Sequence, residues 1–426
     1  MSGVAPSSAR PSAPPPSSRA ASQRGYDRAD PLIEQSRLIV CVGPGGVGKT
    51  SVAATLALEA ARRGKRALVL TIDPARRLAT ALGLDGLDDS VRQVETAALT
   101  RWGARVEGQL FAAMLDTRAS YDALIRRLNG DARAAQRILD NRVYQAFSRT
   151  LARSHAYVAM ERLYDVTSQG EYDLVVLDTP PTRSALDILD APGRLVRFLD
   201  DDVVRWFTKP RLGGRLSRLL PTGSAAATRL LGLLASQQLV EELISFFSVL
   251  LHLREGFRER AAAVQELLRA EETAFCLVCS PSRTSLWDAA YLREGLVSRG
   301  VRLSATVFNR AYVPSGDDSA TPLAWAPPVE PRERLSALGL TALKGAAVHK
   351  SAAVPRPSEA ALVLLSELSH LRQDAAAYNH AAQAAMERFQ ERLPPGSLRV
   401  RLPELSDDPR DLIDLLHLSR ALFTPG

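Results

Sequence analysis

The stretch from Leu38 to Thr50 constrains the fold of this chain more than any other. Leu38-Ile39-Val40-Cys41-Val42 is a short apolar run rich in β-branched residues, the pattern of a strand buried on both faces. It breaks into Gly43-Pro44-Gly45-Gly46-Val47-Gly48-Lys49-Thr50, after which residues 49–63 read as a helix that stops at Gly64. A second apolar run, Ala67-Leu68-Val69-Leu70-Thr71-Ile72, closes on Asp73-Pro74. Strand, glycine-rich turn, helix and strand form a βαβ unit, which implies a parallel sheet with a right-handed crossover.

The remaining sequence extends that sheet. Further strands are expected at 174–177, 275–279 and 305–308, with a short one at 398–400. Helical stretches are expected at about 95–170, 194–270, 285–298 and 358–392, and from about Asp408 onward; the Pro-rich stretch 313–332 reads as a surface loop. The expected fold is α/β: a P-loop NTPase with a mostly parallel central sheet flanked by helices, plus a helical insertion subdomain. Residues 1–33 are rich in Ser, Pro, Ala and Arg and cannot bury enough apolar surface to offset their ordering entropy, so they are expected to be disordered. Residues 34–426 then form the P-loop domain, with helical insertions at about 95–170 and 194–270.

Composition narrows the function classes. The three cysteines are too few for a disulfide scaffold, and the N-terminal stretch lacks the apolar centre of a signal peptide, so a cytoplasmic protein is expected. The formal charge of +7 comes from arginine spread along the chain, with only five lysines and no concentrated polybasic run, which argues against nucleic acid as a partner. The most apolar region, Leu230 to Leu253, is interrupted by Gln237, Gln238, Glu241 and Glu242, which are costly in lipid.

Gly43-x-x-x-x-Gly48-Lys49-Thr50 meets the Walker A pattern in the strand–turn–helix setting the pattern requires. Gly43, Gly45, Gly46 and Gly48 let backbone N–H groups, with those of Val47 and Ser51, converge on phosphate oxygens, and the helix adds its N-terminal partial charge. Lys49 is expected to reach the β- and γ-phosphates of ATP, and the Thr50 hydroxyl to ligate Mg²⁺. Leu174-Val175-Val176-Leu177-Asp178 is an apolar strand ending in an acid, the Walker B arrangement, which puts Asp178 beside the metal, acting through a bound water. Asp73 is expected to end the strand next to the P-loop strand and to orient or deprotonate the attacking water. An Asp-Pro turn capping a helix is its competing role, and both can hold together.

These strings resemble the ArsA/Get family of P-loop ATPases, of the SIMIBI class that also contains MinD and ParA, and within it the bacterial ArsA-like subgroup. The resemblance rests on GPGGVGKT at 43–50, TIDPARRLATALG at 71–83, DTPPTRSALDILDAP at 178–192, CSPSRTSLWDA at 279–289 and VFNR at 307–310. It implies a Mg²⁺-dependent ATPase working as a nucleotide-gated dimer, whose hydrolysis drives a conformational change on a hydrophobic protein client or a membrane partner. By motif position it also implies that Asp73 is the switch I acid, Asp178 the switch II acid, Thr182 the threonine of DTxPT and Asn309 an adenine contact. A carboxamide pairs with the donor and acceptor edges of adenine together, and the sequence has no NKxD-like guanine motif.

The chain also departs from that family. The signature lysine at the second P-loop position, which reaches across the dimer to the partner's phosphates, is Pro44 here, and proline has no such donor. The resemblance therefore leaves open a homodimer, a heterodimer with a paralogue that supplies the cation, and an ATP-binding regulatory subunit with weak hydrolysis. A MinD/ParA-like positioning ATPase is a further alternative; the acidic start of Asp408–Phe423 argues against lipid anchoring there. One P-loop and no metalloid cysteine set argue against arsenite. Cys276 and Cys279 satisfy CxxC, but residues i and i+3 of a strand face opposite ways, so no structural zinc is expected. Residues 194–260 are apolar enough for either a client groove or an ordinary helical layer.

Overall fold

A computed structural model describes residues 26–72, 77–115, 125–126, 131–142, 145, 155–181, 183–200, 254–311, 359–404 and 409–423. Eight strands form one sheet: β1 (Leu38–Val42), β2 (Arg66–Thr71), β3 (Arg92–Gln93), β4 (Gln109–Met114), β5 (Leu174–Asp178), β6 (Thr273–Cys279), β7 (Leu303–Ala311) and β8 (Leu398–Pro403). Their order is β3-β4-β2-β5-β1-β6-β7-β8, and all neighbours are parallel except β3 with β4. The described helices are α1 (Asp30–Gln35), α2 (Lys49–Arg62), α3 (Arg77–Ala81), α4 (Ala132–Leu139), α5 (His155–Ser168), α6 (Arg183–Asp200), α7 (Arg254–Arg269), α8 (Arg283–Ser298), α9 (Glu359–Gln390) and α10 (Leu412–Leu422). None is long and apolar enough to cross a membrane.

The chain divides into two compact units. The larger, Asp27–Ala311 with Ala385–Gly426, holds the whole sheet; in the smaller, Met1–Tyr26 with Tyr312–Ala384, the described part is Tyr26 and α9 up to Ala384.

The expected α/β sheet is present, and its strands are apolar on both faces because helices cover both. One face, with Ile39, Val69, Val176, Cys276, Val278 and Val307, packs with α2 and α10 in a single core. Residues of opposite parity, including Val40, Leu68, Leu177, Phe275, Leu277 and Cys279, are buried on the other face. There α7 and α8 contact β6, and α5, α6 and α7 pack on one another. Gly295 of α8 lies so close to α6 that an added Cβ would meet Leu186 Cδ1 at 2.4 Å, and Arg299 holds Asp190 of α6 through two hydrogen bonds of 2.8 Å.

The structure corrects three expectations. The strand leading to Asp73 does not lie beside the P-loop strand: β5 is inserted between β1 and β2. A right-handed crossover fixes the sense of a βαβ unit but leaves room for a later strand within it. The stretch 95–170 is also not all helical. It opens with a short 3-10 helix at Ala97–Trp102, and Gln109–Met114 is strand β4. Leu, Ala and Met favour helix in isolation, yet six register pairs with β2, from Arg66↔Gln109 to Thr71↔Met114, decide the outcome. The C-terminal helix starts at Leu412 rather than near 408, because the Asp411 carboxylate accepts from the N–H groups of Ile413 and Asp414 at 2.8 and 3.0 Å. The N-terminal tail, the loop at 313–332 and the stretch from 201 to 253 within the second expected insertion lie outside the described residues.

Candidate nucleotide site

The P-loop leaves the carboxyl end of β1 and turns into α2. Gly43 is required by close approach: a Cβ there would sit 2.1 Å from the Val278 carbonyl oxygen of β6. Gly48 is required twice over, since its φ is +87° and a Cβ would lie 2.3 Å from Asn309 Nδ2. Gly43 thus lets the turn lie against β6 and Gly48 lets it lie against Asn309, while Gly45 and Gly46 are exposed. Among the described residues no side chain caps α2, so its first N–H groups can serve an anion.

Charge is placed around that turn with little exposure. Lys49, 7% exposed, folds back so that Nζ donates to the Pro44 carbonyl oxygen at 2.8 Å. The Thr50 hydroxyl donates to Asp178 Oδ2 at 2.8 Å. Asp178, 1% exposed, ends β5 in register with Cys41 of β1 on one side and Thr71 of β2 on the other. Thr71 donates to the same Oδ2 at 2.9 Å, and the next residue, Ile72, donates its N–H to the Asp178 carbonyl oxygen at 3.1 Å. Thr179 is pinned as well, its hydroxyl donating to the Cys41 carbonyl oxygen at 2.7 Å.

Asn309 stands inside β7 rather than just after a strand. A register shift between Phe308 and Ala311 and a left-handed Arg310 (φ 57°) break the ladder there and turn Asn309 toward the P-loop, where Nδ2 donates to the Val47 carbonyl oxygen at 2.8 Å. One amide hydrogen is thus committed to the loop. The carboxamide keeps a second hydrogen and an oxygen with which a base could be read.

Of the sequence-derived candidates, the structure brings together Gly43, Gly45, Gly46, Val47, Gly48, Lys49, Thr50, Ser51, Asp178 and Asn309. Asp73 and Thr182 lie outside the described residues. Two threonines join the site to which the motifs gave no role, although Thr71 opens the string at 71–83 and Thr179 is the first threonine of DTxPT. The partner of Thr71 depends on strand order, which local spacing does not reveal.

The site suits a nucleoside triphosphate with Mg²⁺ by the chemistry of its donors. A hydroxyl and a carboxylate, both hard oxygen ligands, meet beside a glycine-rich turn whose helix begins with no side-chain cap among the described residues. The cysteines have a different character. Cys276 faces Cys41 across paired strands, and Cys279 lies on the opposite face of β6. The Cys41 thiol is pushed well above its ordinary pKa by its hydrogen bond with Cys276 and by burial, and burial raises Cys279 too. Thiols held protonated in this way are poor thiolate ligands and poor nucleophiles.

Comparison with known proteins agrees with this geometry. The family model described as anion-transporting ATPase matches residues 36–325. An uncharacterized protein of Streptomyces coelicolor is 30% identical over 280 residues, covering 64% of this chain and 62% of that protein. ATPase GET3B of Arabidopsis thaliana is 22% identical over 294 residues, covering 65% of this chain and 64% of the relative. ATPase ASNA1 homolog 1 of Paramecium tetraurelia is 24% identical over 278 residues, covering 64% of this chain and 74% of the relative. The match thus spans less than two thirds of the Streptomyces and Arabidopsis proteins. With the matched region running from two residues before β1 past the end of β7, this chain belongs to the ArsA-type anion-transporting ATPase family.

Proposed function

We propose that this chain binds ATP with Mg²⁺ at the P-loop and hydrolyses the γ-phosphate bond, acting as a cytoplasmic, nucleotide-gated dimer on a protein client or membrane partner. The observation that carries the reading is the meeting of Thr50 and Asp178 at 2.8 Å beside a lysine held over the loop. On binding, Lys49 exchanges the Pro44 carbonyl for β- and γ-phosphate oxygens, a neutral acceptor for charged ones. The backbone N–H groups of the loop and the α2 N-terminus hold the remaining phosphate charge. When bound, Mg²⁺ would neutralise charge on the β- and γ-oxygens, with Thr50 as a direct ligand and Asp178 through water. Asp73 would orient the attacking water from the end of β2, and Asn309 would present its second amide hydrogen and its oxygen to adenine.

The family relationship supports the ATPase reading, and the resemblance to the ArsA/Get family supports the gated dimer. The test is Mg²⁺-dependent phosphate release by wild type against Lys49→Ala, Asp178→Asn and Asp73→Asn. Wild-type turnover abolished by the first two substitutions supports the proposal. Absence of Mg²⁺-dependent turnover and of ATP binding in wild type would sink it, and equal rates for Asp73→Asn would remove Asp73 from the mechanism.

Pro44 favours a second reading, an ATP-binding subunit that hydrolyses slowly until a paralogue supplies a cation. In this chain the second P-loop position contributes only a carbonyl, already engaged by Lys49. Turnover of the purified chain, measured before and after adding a paralogue with lysine at that position, separates the two readings. A rise on addition favours the heterodimer.

A further inference from the structure

We infer that Thr71 is a positioning residue for Asp178 and sets how tightly the nucleotide-loaded site holds Mg²⁺. The inference rests on the nucleotide reading above and goes beyond it to a residue to which the motifs assign no role. Asp178 Oδ2 accepts two hydroxyl hydrogen bonds from opposite sides of β5: Thr50 at 2.8 Å from the P-loop side and Thr71 at 2.9 Å from β2. The two donors are not equivalent. Thr50 is half-buried on the first turn of α2 and must turn an oxygen lone pair toward a metal when one binds. Thr71 is held by the sheet instead. It is 1% exposed, its backbone is paired with β5 on one side and β4 on the other, and its carbonyl accepts from the Leu115 N–H at 2.9 Å.

Thr71 is therefore the rigid donor of the pair. It fixes the carboxylate rotamer while Thr50 is engaged with metal, so the cost of orienting Asp178 is met before Mg²⁺ arrives.

The test uses the full chain and a fluorescent ATP analogue. Binding is titrated with Mg²⁺ and also measured in EDTA, for wild type, Thr71→Val, Thr71→Ser and Thr50→Val, with thermal unfolding of each. Thr71→Val, close to isosteric, is expected to raise the Mg²⁺ midpoint about fivefold, on the order expected when part of a charge-assisted hydrogen bond is lost. Its metal-free nucleotide binding should stay within about twofold, and Thr71→Ser should return the midpoint to near the wild-type value. A merely structural threonine would lower the melting temperature and leave the Mg²⁺ midpoint unmoved. That outcome overturns the inference, as does an equal shift in the serine variant. Should the valine chain fail to fold, Thr71→Ala against Thr71→Ser gives the same comparison with the same criteria. Wild-type binding indifferent to Mg²⁺ would sink the nucleotide-site reading itself. A Mg²⁺-responsive wild type, a weakened Thr50→Val and a normal Thr71→Val would sink only the role of Thr71.

Discussion

The two ends of α2 are built for opposite purposes. At its N-terminus the helix begins on a left-handed glycine, and among the described residues no side chain caps it. At its C-terminal end a buried carboxylate is heavily engaged. Glu59, 4% exposed, accepts from Ser419 of α10 at 2.6 Å, from Arg62 at 2.5 Å and from Arg63 at 3.0 Å. Arg63 also reaches Asp30 of α1 at 2.6 Å and lies 5.2 Å over the Phe423 ring. The first turn holds donors ready for a ligand, which costs stability; the last turns spend theirs on the fold, which restores it.

Substitutions at the two ends should separate activity from stability. Lys49→Ala should lower ATP turnover by about 100-fold or more, roughly 2.7 kcal/mol of transition-state stabilisation, while the urea midpoint barely moves. An equal loss of stability would break the contrast. Glu59→Ala should do the reverse, destabilising the fold by about 3 kcal/mol in urea titrations with ATP affinity little changed. Ser419→Ala removes one hydrogen bond of the same clamp and should cost about 1 kcal/mol. A cost matching that of Glu59→Ala would mean that α10, rather than the arginines, carries the clamp.

The smallest effect belongs to a half-buried counterpart of this clamp, Asp190–Arg299. Hydrogen bonds from Arg299 hold the Asp190 carboxyl below its ordinary value of 3.8. A depressed carboxylate contributes stability above its unfolded pKa and loses it as pH falls through the folded one. Wild type should therefore exceed Asp190→Asn by less than about 1 kcal/mol at neutral pH, and the gap should close as the pH falls through the lowered pKa of the folded carboxyl. A gap persisting into acid would show that packing around Gly295, rather than charge, braces α6.

Much of this was legible in the sequence where the signal is local. The β1–P-loop–α2–β2 unit could be read because each element is marked by its own residues: a β-branched run, converging glycines, a stop at Gly64. Asp178 could be read because an apolar strand ending in acid accompanies a P-loop. Strand β4 could not, since Gln109-Leu110-Phe111-Ala112-Ala113-Met114 has the propensity of a helix and becomes a strand only through its pairing with β2. The bond from Asn309 to Val47 spans 262 residues and depends on a bulge in β7 that no residue pattern announces.

By itself, the sequence determined that a glycine-rich turn of the Walker A pattern lies between a buried strand and a helix, with Lys49 and Thr50 at the start of that helix and Asp178 at the end of another buried strand. Those assignments follow from glycine sterics and from residue types at fixed local spacing. The tertiary structure alone decided that β5 separates β1 from β2. Strand order is settled by the packing of the whole sheet, and short-range patterns do not encode it. That order sets Thr71 against Asp178, and the docking of α10 likewise brings Ser419 to Glu59 across 360 residues of chain.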